Sequence, residues 1–128
     1  MVKMLFLVGT GGFFGSICRF LIQEWFVKNT SSGFPWGTFT ANIIGSLIIG
    51  IIYTIVDKQG VFSQEIRLLF AVGFCGGFTT FSSFAIEKFT MLQRAEFFPF
   101  FAYMALSIVA GLFMVWLGIS LGRILTGA

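Results

Sequence analysis

The charged residues of this chain are spaced so widely that they leave four long uncharged stretches. These stretches hold 15, 28, 19 and 26 residues, and they cover positions 4–18, 29–56, 68–86 and 97–122. A helix needs about 20 mainly apolar residues to cross a hydrocarbon core roughly 30 Å thick. The first stretch reaches that length only if its helix continues past Arg19 to about Val27. The spacing of the charges therefore predicts four membrane-spanning helices.

We place these helices in one all-α transmembrane domain over residues 1–128, with spans near 4–27, 37–56, 66–92 and 97–124. Only 10% of the residues are charged, whereas a soluble domain carries about 25%. A removable signal peptide is the competing interpretation of the first span, because Lys3 precedes an apolar run. No small-residue cleavage site follows, and Arg19 and Gln23 interrupt the run. We therefore expect the span to be retained.

Several function classes conflict with the composition. The 8 basic residues are scattered singly, so they do not form the basic patch of a nucleic-acid-binding protein. The sequence has no Walker loop of a nucleotide-driven pump. It has no histidine and only two well-separated cysteines, which cannot build a zinc site of ordinary spacing. We expect a membrane protein that is not an enzyme.

The few charges are divided almost evenly between the two sides of the membrane. Four spans put both termini on one side, which carries 4 basic residues: Lys3, Lys58, Arg67 and Arg123. The opposite side carries 3, or 4 with Arg19: Lys28, Lys88 and Arg94. An excess of Lys and Arg normally fixes the cytoplasmic side. Either the chain inserts in both orientations and pairs as an antiparallel homodimer, or another signal settles a weak bias; both interpretations stay open.

The third span contains glycines followed by paired hydroxyl residues and regularly placed rings, from Gly73 to Phe84. Two adjacent glycines weaken a helix by roughly 1 kcal/mol each relative to alanine, and Thr or Ser can satisfy backbone groups freed by a break. We predict a non-helical break near Gly76 to Thr79. The alternative is a straight helix whose glycines allow close packing, as in the small-residue pairs Gly11-xxx-Gly15, Gly73-xxx-Gly77 and Gly118-xxx-Gly122.

This run resembles the third-span signature of the Fluc fluoride channels, also called CrcB proteins. Two further segments agree with that family: Gly11-Gly12-xx-Gly15-xxx-Arg19 in the first span, and Pro35-Trp36-Gly37-Thr38-xxx-Asn42-xx-Gly45 leading into the second. The likeness covers essentially the whole chain in length, number of spans and order of motifs.

The resemblance implies a dual-topology, antiparallel homodimer in the plasma or inner membrane. It would export F⁻ passively from the cytoplasm through two pores and so give fluoride resistance. A structural Na⁺ would lie at the dimer centre, held by the backbone carbonyls of Gly76 and Thr79.

The resemblance also implies which side chains line the fluoride pathway. Phe81 and Phe84 would be the pore phenylalanines, Asn42 the pore asparagine, and Arg19 the arginine near the aqueous vestibule. A polar track along the third and fourth spans would consist of Thr80, Ser83, Glu87, Tyr103 and Ser107. Gly111 lies where that track would continue with a hydroxyl, so the far end of the route is not defined.

Two other functions compete with a fluoride channel. A small multidrug-type exporter that exchanges protons for a drug needs a carboxylate deep in its first span. The candidate here is Glu24, close to the end of that span. A non-transporting four-span subunit of a larger complex would instead use its small-residue surfaces for assembly and leave the Thr, Ser and Phe track idle.

Overall fold

The computed structural model describes residues 1–58 and 63–127, and most of them are helical. The elements are α1 (Val2–Asn29), α2 (Trp36–Lys58), α3 (Ser63–Ile66), a π-helical segment (Arg67–Cys75), α4 (Gly76–Phe78), α5 (Phe81–Gln93) and α6 (Phe97–Thr126). Four helical spans are long and apolar enough to cross a membrane: Val2–Asn29, Trp36–Lys58, Gln64–Gln93 and Phe97–Thr126. The four helices that the charge spacing predicts are therefore present.

The ends of these helices follow from local backbone chemistry. Thr30 is extended after α1, and Pro35, which lacks an amide hydrogen, directly precedes α2. Ala95 has a positive φ of 57° between α5 and α6, and Gly127 ends α6 in the left-handed conformation that glycine adopts without a steric penalty. The links at 30–35 and 94–96 are consequently short.

The third span is not one continuous α-helix. Residues Arg67–Cys75 are π-helical, α4 ends at Phe78, and α5 begins at Phe81. Thr79 and Thr80 between them are extended, with φ and ψ of −83° and 157° for Thr79 and −149° and 118° for Thr80. Gly76 keeps helical dihedrals. The extended residues thus come after the glycine pair. Polar side chains replace the helical hydrogen bonds that are lost at these extended residues.

Small residues let the spans approach closely. A methyl group on Gly15 of α1 would collide with the backbone oxygen of Phe74 in the π-helical segment. At the crossing of α2 and α6, Gly50 and Gly118 face each other, and a methyl group on either would meet the other helix's backbone. These contacts are the close helix packing that the glycine pairs favour. They hold the first span against the third and the second span against the fourth.

The outer surface is largely apolar, as lipid requires. Large side chains such as Phe6, Leu112 and Ile124 are mostly exposed in the protomer. The fully buried side chains include Tyr103 and Thr38, which are both polar at one end. The interior of this chain therefore holds hydrogen-bonding groups, while much of its apolar surface faces outward.

Candidate functional site

An open groove of about 560 Å³ runs between α2, the third span and α6. It is lined by thirteen residues: Asn42, Gly45, Ser46, Ile49, Ala71, Cys75, Gly76, Thr79, Thr80, Phe81, Phe84, Ser107 and Ile108. The extended Thr79 and Thr80 lie on its wall. The structure thus brings five of the predicted pathway residues, Asn42, Thr80, Phe81, Phe84 and Ser107, into one groove.

Asn42 holds the extended backbone at Thr80. The amide N–H of Thr80 donates to Asn42 Oδ1 at 2.8 Å, and Asn42 Nδ2 donates to the Thr80 carbonyl at 3.2 Å. A carboxamide nitrogen carries two hydrogens, so one donor of Asn42 remains for another acceptor. Asn42 therefore braces the interrupted helix and still offers a neutral donor to the groove.

Thr80 starts the second half of the third span. Its Oγ1 accepts a hydrogen bond from the backbone amide of Ser83 at 3.1 Å, which is the usual arrangement of a helix N-cap.

Phe81 and Phe84 follow on α5 with ring centroids 6.2 Å apart. Phe81 is 80% exposed although it is a large apolar side chain. Its ring extends from the groove wall with little protein around it in the single chain. Ser83, which the resemblance places on the track, does not line this groove.

The carbonyls of Gly76 and Thr79 lose their ordinary helical partners. In an α-helix these oxygens accept from the amides of Thr80 and Ser83, four residues on. The structure diverts both amides to side-chain oxygens, those of Asn42 and Thr80. Within the described part of the chain, no group of His, Cys, Asp or Glu side chains could hold a metal ion. The backbone oxygens of Gly76 and Thr79 are therefore among the groups that could face a cation in the groove.

A second polar cluster lies beside the groove and centres on Glu87. Tyr103 Oη donates to Glu87 Oε1 at 3.0 Å, and Thr38 Oγ1 donates to Glu87 Oε2 at 2.7 Å. Gln23 Nε2 donates to Thr38 Oγ1 at 3.2 Å. Gln23, Thr38 and Glu87 also line a separate cavity of about 530 Å³ next to the loop between α1 and α2.

The predicted track is therefore divided into two clusters, one in the groove and one around Glu87. The rings of Phe84 and Tyr103 connect them, with centroids 4.9 Å apart in an edge-to-face arrangement. Sequence reasoning missed the roles of Thr38 and Gln23 in the second cluster. The available signal for Thr38 was its position one helical turn before Asn42 on α2, which puts both residues on one helix face.

Arg19 lies against the interrupted helix. Its Nε donates to the carbonyl of Gly77 at 3.0 Å, another oxygen near the end of α4. Glu24, five residues further along α1, forms no ion pair with Arg19: within residues 1–58 and 63–127 the ion pair present joins Lys3 and Glu65. The Arg19 side chain therefore satisfies a carbonyl that the interruption frees.

Ser46 is a groove residue that sequence reasoning also missed. Its Oγ donates to the Asn42 carbonyl at 2.8 Å. A methyl group on Gly111 would lie 3.7 Å from the same Ser46 oxygen. A hydroxyl of the neighbouring helix α2 therefore lies beside position 111 of α6, where the sequence has none. Sequence spacing could not reveal this because the two residues are far apart in the chain.

Known proteins match this chain over most of its length. A family model described as "CrcB-like protein, Camphor Resistance (CrcB)" matches residues 6–119. A protein of Leptospira interrogans is 44% identical over 117 residues, which are 91% of this chain and 92% of that protein. A protein of Phocaeicola vulgatus is 40% identical over 118 residues, covering 92% and 97% of the two chains. A third, from Chlorobium luteolum, is 44% identical over 113 residues, covering 88% and 87%.

All three relatives carry the name fluoride-specific ion channel FluC. The match extends through all four spans, so it includes the groove and the cluster around Glu87. With the four apolar helices, it identifies a multi-pass membrane protein. The resemblance seen in the three sequence motifs is confirmed: this chain belongs to the CrcB family.

Proposed function

We propose that this protein is a fluoride-selective channel that lets F⁻ leave the cytoplasm passively and so protects the cell from fluoride. The observation that carries the proposal is the groove in which Asn42, Thr80 and Ser107 lie together with the rings of Phe81 and Phe84. Its relatives are named as fluoride-specific ion channels, which supports the same conclusion. The protein would therefore act as a channel and not as an enzyme.

The chemistry of the groove suits a small, strongly hydrated anion. A conducting site must replace the water around F⁻ without holding the ion too tightly to leave. The free donor of Asn42 and the Ser107 hydroxyl are neutral donors, and the edges of the Phe81 and Phe84 rings carry partial positive charge. Chloride is larger and more weakly hydrated, so a narrow passage lined by such donors would favour fluoride.

The open groove and the exposed Phe81 support a dimer. In a single chain the groove is open along one side, and 80% of the Phe81 surface is uncovered. A second, antiparallel copy would cover this face and complete the wall of the passage. Because a two-fold axis in the membrane plane repeats each site, the dimer would contain two equivalent pores. The nearly even division of basic residues between the two sides is consistent with insertion in both orientations.

The carbonyls of Gly76 and Thr79 fit a structural Na⁺. Both residues line the groove, and both oxygens lack their helical amide partners because Asn42 and Thr80 side chains accept those amides. A hard cation with oxygen ligands would offset these carbonyl dipoles where two copies meet. Asn42 would keep the two oxygens available by holding Thr80 extended, so the same side chain supports the pore and the ion site.

Arg19 and Glu87 lie outside the lining of the groove and would assist the passage of the ion. Arg19 carries a positive charge close to the interrupted helix and would raise the local concentration of anions. The cluster of Glu87, Thr38 and Tyr103 would form the polar continuation of the pathway beyond Phe84, although Glu87 itself is an acceptor when ionised.

No coupling to another energy source is needed for export. A plasma-membrane potential of 100 mV, negative inside, favours the departure of an anion by about 2.3 kcal/mol per charge. The proton-coupled exporter is not favoured, because it needs a carboxylate deep in its first span. The carboxylate that accepts two hydrogen bonds within the protein is instead Glu87 of the third span. Glu24 of α1 is half-buried and lies only five residues before the helix ends. A non-transporting subunit would not require polar groups along an open groove.

Ion efflux from liposomes that contain the purified protein tests the proposal. Fluoride should leave when a potassium ionophore dissipates the voltage, and chloride should leave far more slowly. Equal fluoride efflux with and without a pH gradient should distinguish a passive channel from a proton-coupled exporter. Liposomes with no protein supply the baseline, and fluoride release at that baseline rate would exclude the channel function.

A further inference from the structure

Lys88 of α5 is buried within the third span. The residue is 5% exposed, and its Nζ atom has no hydrogen-bond partner among the described residues. Taking an ammonium group out of water is costly unless another interaction compensates. The neighbouring Glu87 does not provide one, since its carboxylate is bonded to Thr38 and Tyr103. The structure must stabilise this charge in another way.

Three aromatic rings surround the ammonium group. Nζ lies 3.6 Å from the ring centroid of Phe100, 5.7 Å from that of Tyr103 and 5.9 Å from that of Phe84. The face of an aromatic ring is negative and attracts a cation within about 6 Å, most strongly where water is excluded. The rings therefore take the place of a carboxylate partner and fix the position of the charge.

Two of these rings also belong to the proposed fluoride pathway. Phe84 lines the groove, and Tyr103 bonds to Glu87 and packs against Phe84. A ring has a negative face and a positive edge, so a cation over its face draws electron density away from its edge. The Lys88 charge can thus make the ring edges more attractive to an anion while the rings separate it from the groove.

We propose that Lys88 is a positioning residue of the fluoride pathway, one that attracts F⁻ through the rings of Phe84 and Tyr103. This inference rests on the proposed channel function. A positive charge in direct contact with F⁻ would hold the ion too tightly for conduction. A charge behind a layer of rings raises the occupancy of the pathway but cannot form a contact ion pair. The arrangement combines attraction with rapid release.

Substitution of Lys88 separates its charge from its shape. Lys88→Met keeps a long, flexible side chain without the charge, and Lys88→Arg keeps the charge. We expect the Met variant to need about tenfold more fluoride for half-maximal efflux, which corresponds to a loss of about 1.4 kcal/mol of attraction. We expect the Arg variant to stay close to wild type. Wild-type behaviour of Lys88→Arg together with the defect of Lys88→Met is the result that a purely structural role would not produce.

Lys28→Met is the matched control, because Lys28 is exposed at the end of α1. Its charge is screened by salt, so any effect of this variant should disappear at high ionic strength. The effect of Lys88→Met should persist, because Lys88 is buried. Size-exclusion chromatography and thermal unfolding in detergent would verify that each variant is folded.

A double-variant comparison tests the role of the rings. Phe100→Leu should weaken fluoride efflux in the wild-type background, because the ammonium group loses its closest ring. The same change should have no further effect in the Lys88→Met background. Equal effects in both backgrounds would contradict a ring-held charge.

The outcomes separate this inference from the channel function itself. Half-maximal efflux at the wild-type fluoride concentration in Lys88→Met would overturn the inference and leave the channel function intact. An equal defect in Lys88→Arg would also overturn it, by showing that shape matters and charge does not. Absence of fluoride efflux from the wild-type protein would reject both.

Discussion

Asn42 of α2 and Thr80 of the third span form a pair of hydrogen bonds across 38 residues of sequence. One carboxamide side chain accepts from the Thr80 amide and donates to the Thr80 carbonyl, as a neighbouring β-strand would. This contact provides the backbone partners that a helix would otherwise supply at an extended residue inside the membrane. It also places the Asn42 carboxamide on the wall of the groove.

Asn42→Ala should therefore impair both stability and conduction. The change leaves the amide and carbonyl of Thr80 unpaired, and an unsatisfied buried group costs about 1–3 kcal/mol. The midpoint of thermal unfolding in detergent should fall, and fluoride efflux from liposomes should be lost. Asn29→Ala is the control, because Asn29 is exposed and bonds locally to Trp25. A variant at Asn42 with wild-type stability and flux would contradict the bracing role.

Phe81→Ile should abolish fluoride efflux without unfolding the protein. Isoleucine retains much of the apolar volume, but it has no electropositive ring edge to offer an anion. Phe81 is already 80% exposed in the protomer, so its removal creates no cavity within the chain. Phe113→Ile of α6 is a matched control, since this ring is also exposed but does not line the groove. Unchanged fluoride efflux in Phe81→Ile would exclude this ring from the pathway.

The hydroxyl of Ser46 should be exchangeable for one at position 111. Ser46→Gly removes the groove hydroxyl and should reduce fluoride efflux severalfold. Gly111→Ser in that background should restore it, because a side chain at position 111 would point to the same place and meets no backbone atom there. Efflux assays on the two single variants and the double variant would measure this. If the second substitution gives no recovery, the hydroxyl is not shared between the two helices.

Gly15→Ala should destabilise the protein, because the added methyl group would overlap the Phe74 backbone. Overpacking of this kind costs about 1–3 kcal/mol. Gly9→Ala on the same helix meets no atom within 4 Å and should be neutral or slightly stabilising, since alanine favours a helix over glycine by roughly 1 kcal/mol. Thermal unfolding of the two variants, measured side by side, gives the comparison. Equal stability would mean that α1 does not pack at Gly15.

A cysteine appended near the C-terminus should be labelled from both sides of the membrane. The native Cys18 and Cys75 would first be replaced by alanine so that the tag is the sole thiol. A membrane-impermeant reagent applied to intact cells should label about half of the protein if insertion is evenly divided, as the near balance of basic residues implies. The remainder should react after the cells are opened. Labelling from a single side would refute dual topology.

The order of residues alone determined that this chain has four membrane helices and belongs to the CrcB family. Insertion of a helix depends on the transfer free energies of its own residues, which add along the chain. The long uncharged stretches therefore identify the spans without knowledge of their neighbours. The run of glycine, threonine and phenylalanine from Gly73 to Phe84 is likewise a local pattern. Its resemblance to the family can therefore be recognised from the sequence alone.

Only the tertiary structure decided which side chains meet. The extended residues are Thr79 and Thr80, after the two glycines of the predicted break, because Asn42 supplies partners to Thr80 and not to Gly76. Arg19 contacts the Gly77 carbonyl, and Lys88 lies among aromatic rings. From the sequence alone, both charged residues were counted at the membrane surface. Such contacts depend on how far each helix is rotated and how closely it crosses its neighbours. Close glycine contacts between spans set that geometry, and no single span encodes it.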